Sequence, residues 1–155
     1  MHSFGVTYDN LDLKIINHLL DDGRASLRSI AEELDVSVTT VSNHLKSMEE
    51  EGIIEGFKPV LDYSKLGYTV TSVLMIKAEG DNIQELVENL REEDSLVNVY
   101  EVTGDFDVIA VGKFEDTESM NNSIKDLLDS PAVMETNTNV VLSTVKENDD
   151  IEFEY

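Results

Sequence analysis

The chain has 155 residues and a formal net charge of −22, with 11 Lys and Arg against 33 Asp and Glu. It contains no cysteine, which excludes disulfide bonds, thiolate metal sites and a cysteine nucleophile. With 41% apolar residues it can build one medium domain or two small ones, and it has no apolar run long enough to cross a membrane, so we expect a cytoplasmic protein.

Three helices are predicted before residue 52. The first runs from Tyr8 to Leu20 and is followed by Gly23, which we expect in a left-handed conformation. The stretch from Arg24 to Gly52 indicates a helix, a tight turn and a second helix, with Ser37 placed to cap the second helix. Apolar residues at 3.6-residue spacing form the buried sides of these two helices, namely Leu27, Ile30, Ala31 and Leu34 on one and Val38, Val41, Leu45 and Met48 on the other.

The outward side of the second helix carries short polar side chains suited to a DNA major groove. We expect Thr39, Thr40 and Asn43 to read bases. A good bidentate base contact contributes about 1–3 kcal/mol of discrimination, and this helix has no arginine to make one to guanine, so we predict an A·T-weighted site. Lys46, His44, Arg24 and Arg28 would hold phosphates, and Ser37 and Ser47 complete the predicted DNA-binding set.

A linker separates the helices from the second half of the chain. Residues 53–61 are predicted as two short extended pieces, the wing of a winged helix-turn-helix, with Pro59 confining the second piece to an edge. Residues 62–67 indicate a one-turn connector, capped by Asp62 and closed by Gly67. We therefore expect a DNA-binding domain at residues 1–62 and a second domain at residues 63–155 that ends in an acidic tail.

The second half alternates strands and helices in the order β-α-β-β-α-β, which is the ferredoxin-like plan, so the predicted fold class is α+β. The predicted strands are residues 68–78, 97–103, 107–114 and 132–146, and the predicted helices are residues 81–91 and 117–128. Both alternating sets of side chains in the first and third strands are apolar. Helices cover one face of such a sheet, and a partner subunit is the economical cover for the other.

A series of short motifs runs in order along nearly the whole chain. They are Tyr8-Asp9-x-x-Asp12-x-x-Ile15-Ile16, Asp22-Gly23-Arg24, Ile30-Ala31, Ser37-x-x-Thr40-Val41, Gly52-Ile53-Ile54, Lys65-Leu66-Gly67-Tyr68 and residues 102–107, followed by residues 138–146. In order and spacing they resemble the Lrp/AsnC (feast/famine) family of transcription regulators. The recognition helix of that family usually carries arginine where this chain has His44, and often again where it has Ser47, so the chain departs from the family there.

The resemblance implies a sequence-specific transcription regulator that responds to an amino acid or a related small metabolite. It also implies a homodimer formed by facing ferredoxin-like sheets, often assembled into tetramers or octamers. The effector site of such proteins lies at the loop that matches Thr103, Gly104, Asp105, Phe106 and Asp107, and we add Thr136 and Thr138 from the last strand. Gly104 permits backbone N–H groups to face a carboxylate, while Asp105 or Asp107 would meet an α-ammonium. The alternative is a connecting turn in which both aspartates cap backbone amides.

The charge balance argues against ordinary DNA binding, because neutralised phosphates supply most non-specific affinity. Residues 1–62 hold 5 basic and 12 acidic side chains, and residues 63–155 hold 6 and 21, so the excess is not confined to one tail. Uniform acidity is typical of proteomes with molar internal salt, where the Debye length is about 3 Å, and we expect a halophilic source. The alternatives are an acidic protein that avoids nucleic acid, and a small-molecule sensor or protein-interaction module without DNA contact.

The sequence shows no pattern typical of catalysis. All three histidines lie within the first 44 residues, and there is no Ser/His/Asp arrangement, phosphate-binding glycine loop or metal-ligand cluster. We therefore expect neither an enzyme nor a metal or cofactor site. Residues 147–155 hold five acids, and we expect a solvated end, with an added edge strand or a contact between dimers as the alternative.

Overall fold

The computed structural model describes residue 5 and residues 7–155, so the first few residues of the predicted DNA-binding domain lie outside it. The chain divides into two compact units, which are residues 1–60 with 147–155 (unit 1) and residues 61–146 (unit 2). The sequence predicts residues 147–155 within the second domain, whereas in the structure their contacts place them with the helices of unit 1. None of the described helices is long and apolar enough to span a membrane.

The described part of unit 1 contains three helices, α1 (Asn10–Asp21), α2 (Leu27–Leu34) and α3 (Val38–Glu50). Each helix is preceded by a capping residue whose side chain accepts a backbone N–H of the first turn. These caps are Asp9, Ser26 and Ser37 respectively. The turn between α2 and α3 passes through Asp35 in a left-handed conformation, with φ of 54°. The three helices share one buried core of Ile15, Ile30, Ala31, Val41 and Met48.

Two local predictions for unit 1 are wrong. Gly23 does not adopt positive φ, because α1 ends at Asp21 and is capped by Asp22, whose extended backbone donates its N–H to the carbonyl of His18. Residues 53–61, all of them described, form no paired strand. The backbone N–H groups of Ile53 and Ile54 both bond to the carbonyl of Met48 at the end of α3, so they are not available to a hairpin.

Unit 2 opens with the predicted connector, a 3-10 turn at Ser64–Leu66. Asp62 accepts hydrogen bonds from the Ser64 hydroxyl (2.6 Å) and the Lys65 N–H (3.3 Å). Gly67 closes the turn with φ of 95°, a value that favours glycine.

The described residues of unit 2 then form two helices and an antiparallel four-stranded sheet in the order β2-β3-β1-β4, which confirms the predicted ferredoxin-like plan. The last strand is shorter than predicted, because pairing ends at Val141, whose N–H bonds to the carbonyl of Thr71. The elements are β1 (Val70–Ala78), α4 (Ile83–Arg91), β2 (Leu96–Glu101), β3 (Val108–Phe114), α5 (Thr117–Leu128) and β4 (Val133–Val140).

The sheet is apolar on both faces, as the alternation predicts. The face toward the helices is fully buried and packs against α4 and α5 through Leu74, Ile76, Val108 and Ala110, with Leu86, Leu90, Met120 and Ile124 from the helices. On the other face, the central side chains are only half-buried, namely Val73, Met75, Ile109 and Val111. This second face is therefore the apolar surface that unit 2 leaves partly open.

Candidate nucleic-acid interface and effector loop

One stripe of α3 is free to contact a ligand. Thr39, Asn43 and Lys46 are spaced i, i+4 and i+7, so they lie on one side of the helix, and all three are exposed. The side chains of Thr39 and Asn43 make no hydrogen bond within the described part of the chain. Lys46 is paired with Glu50 at 3.7 Å, an exposed contact that contributes little and that a phosphate can replace. We call these three residues the reading stripe.

The adjacent stripe of α3 is occupied by contacts within the fold. The Thr40 hydroxyl lies 2.7 Å from the Ser37 hydroxyl, and Ser37 also accepts the Thr40 N–H at 3.0 Å. Ser47 donates to the Glu51 carboxylate at 3.3 Å. These three predicted DNA-binding residues therefore have partners before DNA arrives, and Ser37 in particular has the role of a helix cap.

His44, predicted to hold a phosphate, lies against α1. Its Nδ1 is 2.7 Å from Oδ1 of Asp12, a residue that is only 8% exposed, so this nitrogen donates to the carboxylate. Sequence reasoning missed Asp12 as its partner. The available signal was the Asp9-x-x-Asp12 spacing, which forms a capping box in which each carboxylate accepts the other residue's N–H at 2.9 Å.

The same three side chains could also be considered as metal ligands, because one ligand atom of each lies within 4.8 Å of the others. The capping box and the His44 hydrogen bond account for this arrangement without an ion. The N–H of Asp12 also holds the pKa of the Asp9 carboxyl below its ordinary value. The trio therefore acts as a connection between α1 and α3.

Of the two predicted arginines, Arg24 lies in the turn before α2 and Arg28 in the first turn of α2, and both are exposed. Arg28 pairs with Glu32 at 3.1 Å, while the backbone N–H of Arg24 bonds to the Asp22 carboxylate. Three of the four predicted phosphate ligands, Arg28, Lys46 and His44, thus have an acidic partner, which lowers the positive charge that this surface presents.

The predicted effector loop, residues 103–107, connects β2 and β3. Gly104 has φ of 109°, and Thr103 and Asp105 are exposed, whereas Phe106 is half-buried. Asp107 has a structural role, because its carboxylate accepts the N–H of Ala78 at 2.9 Å and its own N–H bonds to the carbonyl of Ile76. The Asp105 carboxylate makes no hydrogen bond within the described residues, and it is the one available to a ligand.

The two predicted threonines of β4 lie at different distances from this loop. Thr136 pairs with Ile76 and Thr138 pairs with Leu74, while Asp107 bonds to Ile76 from the other side of β1. Neighbouring strands are about 4.8 Å apart, so Thr136 is roughly 10 Å from the loop across β1. Thr138 lies one pleat further along the strand, so the structure brings Thr136 closer to the loop than Thr138.

Comparison with protein-family models identifies two domains. Residues 8–55 match a winged helix-turn-helix DNA-binding domain, and residues 71–151 match the Lrp/AsnC ligand binding domain. An uncharacterised HTH-type transcriptional regulator of Pyrococcus abyssi is 44% identical over 140 residues, covering 90% of this chain and 95% of that protein. The HTH-type transcriptional regulator FL11 of Pyrococcus horikoshii is 33% identical over 147 residues, covering 94% and 97%.

Solved structures show the same fold. AsnC of E. coli superposes with a TM-score of 0.86 at 22% identity, covering 94% of this chain and 99% of that one. The regulator NMB0573 of Neisseria meningitidis, solved as a complex with L-Met, superposes with a TM-score of 0.87 at 20% identity, covering 94% and 96%. The two Pyrococcus relatives are HTH-type transcriptional regulators and not enzymes.

Proposed function

The chain belongs to the Lrp/AsnC family of transcription regulators, and from this premise we propose that its reading stripe recognises an A·T-weighted operator. The observation that carries the proposal is that Thr39 and Asn43 are exposed on one side of α3 and unbonded within the described chain. The carboxamide of Asn43 matches the donor and acceptor of adenine in the major groove, and the methyl group of Thr39 fits that of thymine. Lys46 and Arg24, both exposed, hold phosphates.

The residues beside the stripe act through the fold. Ser37 caps α3 and its hydroxyl contacts that of Thr40, and the His44–Asp12 hydrogen bond holds α3 against α1. In this proposal these residues position the stripe, and Thr39 and Asn43 contact the bases. No arginine is present on α3 to read guanine, which supports the A·T weighting.

Binding-site selection followed by fluorescence anisotropy tests the reading stripe. The Asn43→Ala variant should weaken binding to the selected site by about 1–3 kcal/mol while leaving weak binding to random DNA unchanged. Asn122→Ala is the matched control, because Asn122 is an exposed asparagine on α5 of the other unit. Selected sites rich in G·C pairs, or equal losses on selected and random DNA, would contradict the assignment.

We propose an amino-acid effector at the loop of residues 103–107. Backbone N–H groups around Gly104 face the α-carboxylate, and Asp105 meets the α-ammonium, while Asp107 fixes the loop to β1. The neisserial regulator solved with L-Met supports an amino acid as the ligand class. Calorimetric screening of the natural amino acids should find a ligand whose binding Asp105→Asn weakens and Asp94→Asn, at another exposed acid, leaves unchanged. Equal binding by both variants would contradict the role of Asp105.

The open apolar face of the sheet supports a homodimer, in which two copies cover Val73, Met75, Ile109 and Val111 of each other. Half-buried apolar side chains in the centre of a sheet are typical of a surface that a partner covers. Dimers that form through this face can assemble further into tetramers or octamers. A DNA partner also implies a protein that works in the cytoplasm.

The acidic surface supports a source with high internal salt and a regulator adapted to it. Because Arg28 and Lys46 are already paired with acids, DNA binding should release few counterions, and its salt dependence should be shallow. The same pairing favours the second candidate function, a metabolite sensor or interaction module whose α3 contacts protein. That candidate would be supported if the double variant Thr39→Ala, Asn43→Ala kept the protein's regulatory function in the cell.

A further inference from the structure

The C-terminal residues of unit 1 are held on α1 by specific contacts. The Asn17 carboxamide pairs with the backbone of Phe153, donating to its carbonyl at 2.7 Å and accepting its N–H at 3.1 Å. The Lys14 ammonium lies 5.0 Å from the centre of the Tyr155 ring, within range of a cation–π contact. Phe153 is half-buried in a segment that is otherwise exposed. A segment distant in sequence thus occupies a defined position on α1.

This docked segment and the reading stripe lie on different faces of unit 1. The core side of α1 carries Ile15 and Asp12, and Lys14 and Asn17 project from the opposite side at 100° per residue. The reading stripe likewise projects from α3 on the side opposite its buried residues, whereas the contacts of Phe153 and Tyr155 described above are to α1. Both surfaces point away from the shared core, but from different helices.

The docked segment carries much of the negative charge of unit 1. Residues 1–60 hold 5 basic and 11 acidic side chains, a net charge of −6, and residues 147–155 add five acids and no Lys or Arg. Nine residues span about 30 Å when extended, whereas the Debye length at 0.1 M salt is about 10 Å. An acidic segment free to move can therefore compete with DNA for Lys46 and Arg28, whereas the contacts to Asn17 and Lys14 hold the end of the segment on α1.

We propose that the outer face of α1 is a docking site for the chain's own C-terminal segment, and that docking keeps its five acids away from the reading stripe. The second half of the proposal rests on the DNA-binding function proposed above. Releasing the segment from α1 should weaken DNA binding. In a protein truncated before the segment, the same substitution on α1 should cause no weakening.

The test uses full-length protein, the Asn17→Ala variant, a truncation after Lys146, and both changes together. Asn10→Ala is the matched control, because Asn10 is an exposed asparagine on the same helix. Carboxypeptidase should trim the C-terminus of Asn17→Ala faster than that of wild type or Asn10→Ala. DNA affinity at low salt should fall several-fold in Asn17→Ala, recover as KCl is raised, and be equal in the two truncated proteins.

Equal carboxypeptidase rates in wild type and Asn17→Ala would overturn the docking site. Unchanged or tighter DNA binding by Asn17→Ala, or a loss that persists after truncation, would overturn the electrostatic role. Wild-type protein that binds no DNA at any salt would overturn the proposed function and with it this role, while the carboxypeptidase comparison would still decide the docking site separately. Circular dichroism of each variant confirms that the helices are intact.

Discussion

Among the contacts of unit 1, we expect removal of the connection between α1 and α3 to lower the free energy of unfolding most. Replacing Asp12 with alanine removes a buried carboxylate that accepts two hydrogen bonds, from Nδ1 of His44 at 2.7 Å and from the N–H of Asp9 at 2.9 Å. Hydrogen bonds to charged groups contribute about 1.5–3 kcal/mol each, and the exposed capping bond less, so the free energy of unfolding should fall by about 2–4 kcal/mol. The reading stripe should lose its fixed orientation as well.

Urea unfolding followed by far-UV circular dichroism measures this loss, at a KCl concentration where wild type is fully folded. Asp21→Ala is the matched control, because Asp21 is an exposed acid at the end of α1 and its removal should leave stability unchanged or slightly raised. A double-mutant cycle with His44→Ala should give a coupling energy of about 1–3 kcal/mol between the two side chains. A loss below about 0.5 kcal/mol in Asp12→Ala would refute the view that this pair connects the helices.

Three further predictions concern stability and assembly. Backbone N–H groups hold the pKa of the Asp9 and Asp116 carboxyls below 3.8, so the stability they confer is present above that value and is lost as pH falls below it. The double variant Asp9→Asn, Asp116→Asn caps both helices without titrating, so in urea unfolding it should lose less stability than wild type between about pH 6 and 3. Equal losses in the two proteins would contradict this. Gly112→Ala should destabilise unit 2 by about 1–3 kcal/mol in the same assay, because a Cβ there would lie 2.5 Å from the Phe114 ring, and an unchanged midpoint would show that the ring moves aside freely. Val111→Asp should convert a dimer to monomers in light scattering, and a dimer that persists would place the interface on another surface.

Features that depend on neighbouring residues could be predicted from the sequence. The connector between the units is an example, because Asp62 as a cap and Gly67 as a left-handed closure are signals only five residues apart. The helix α5 is another, since its apolar period predicts the observed span of Thr117–Leu128, which the structure shows to be capped by Asp116. The ferredoxin-like order follows from such local signals taken in sequence.

Features that depend on distant pairing could not be predicted in the same way. Asp12 and His44 are 32 residues apart, and Asn17 and Phe153 are 136 apart, so neither contact leaves a local pattern. The wing was predicted from residue types in the linker, but the N–H groups of Ile53 and Ile54 bond to the end of α3 instead. In the effector loop, the two aspartates are alike in sequence, and only the hydrogen bond to Ala78 separates the structural Asp107 from the available Asp105.

In the function proposed for this protein, a chain with a net charge of −22 reads DNA through three exposed side chains of α3. The most direct test is fluorescence anisotropy on the DNA upstream of its own gene, titrated from about 0.1 to 3 M KCl, with a scrambled sequence as competitor. We expect saturable, sequence-preferring binding that persists at molar KCl, with a log–log salt slope that is shallow or positive. A steep negative slope, or no sequence preference at any salt, would contradict it.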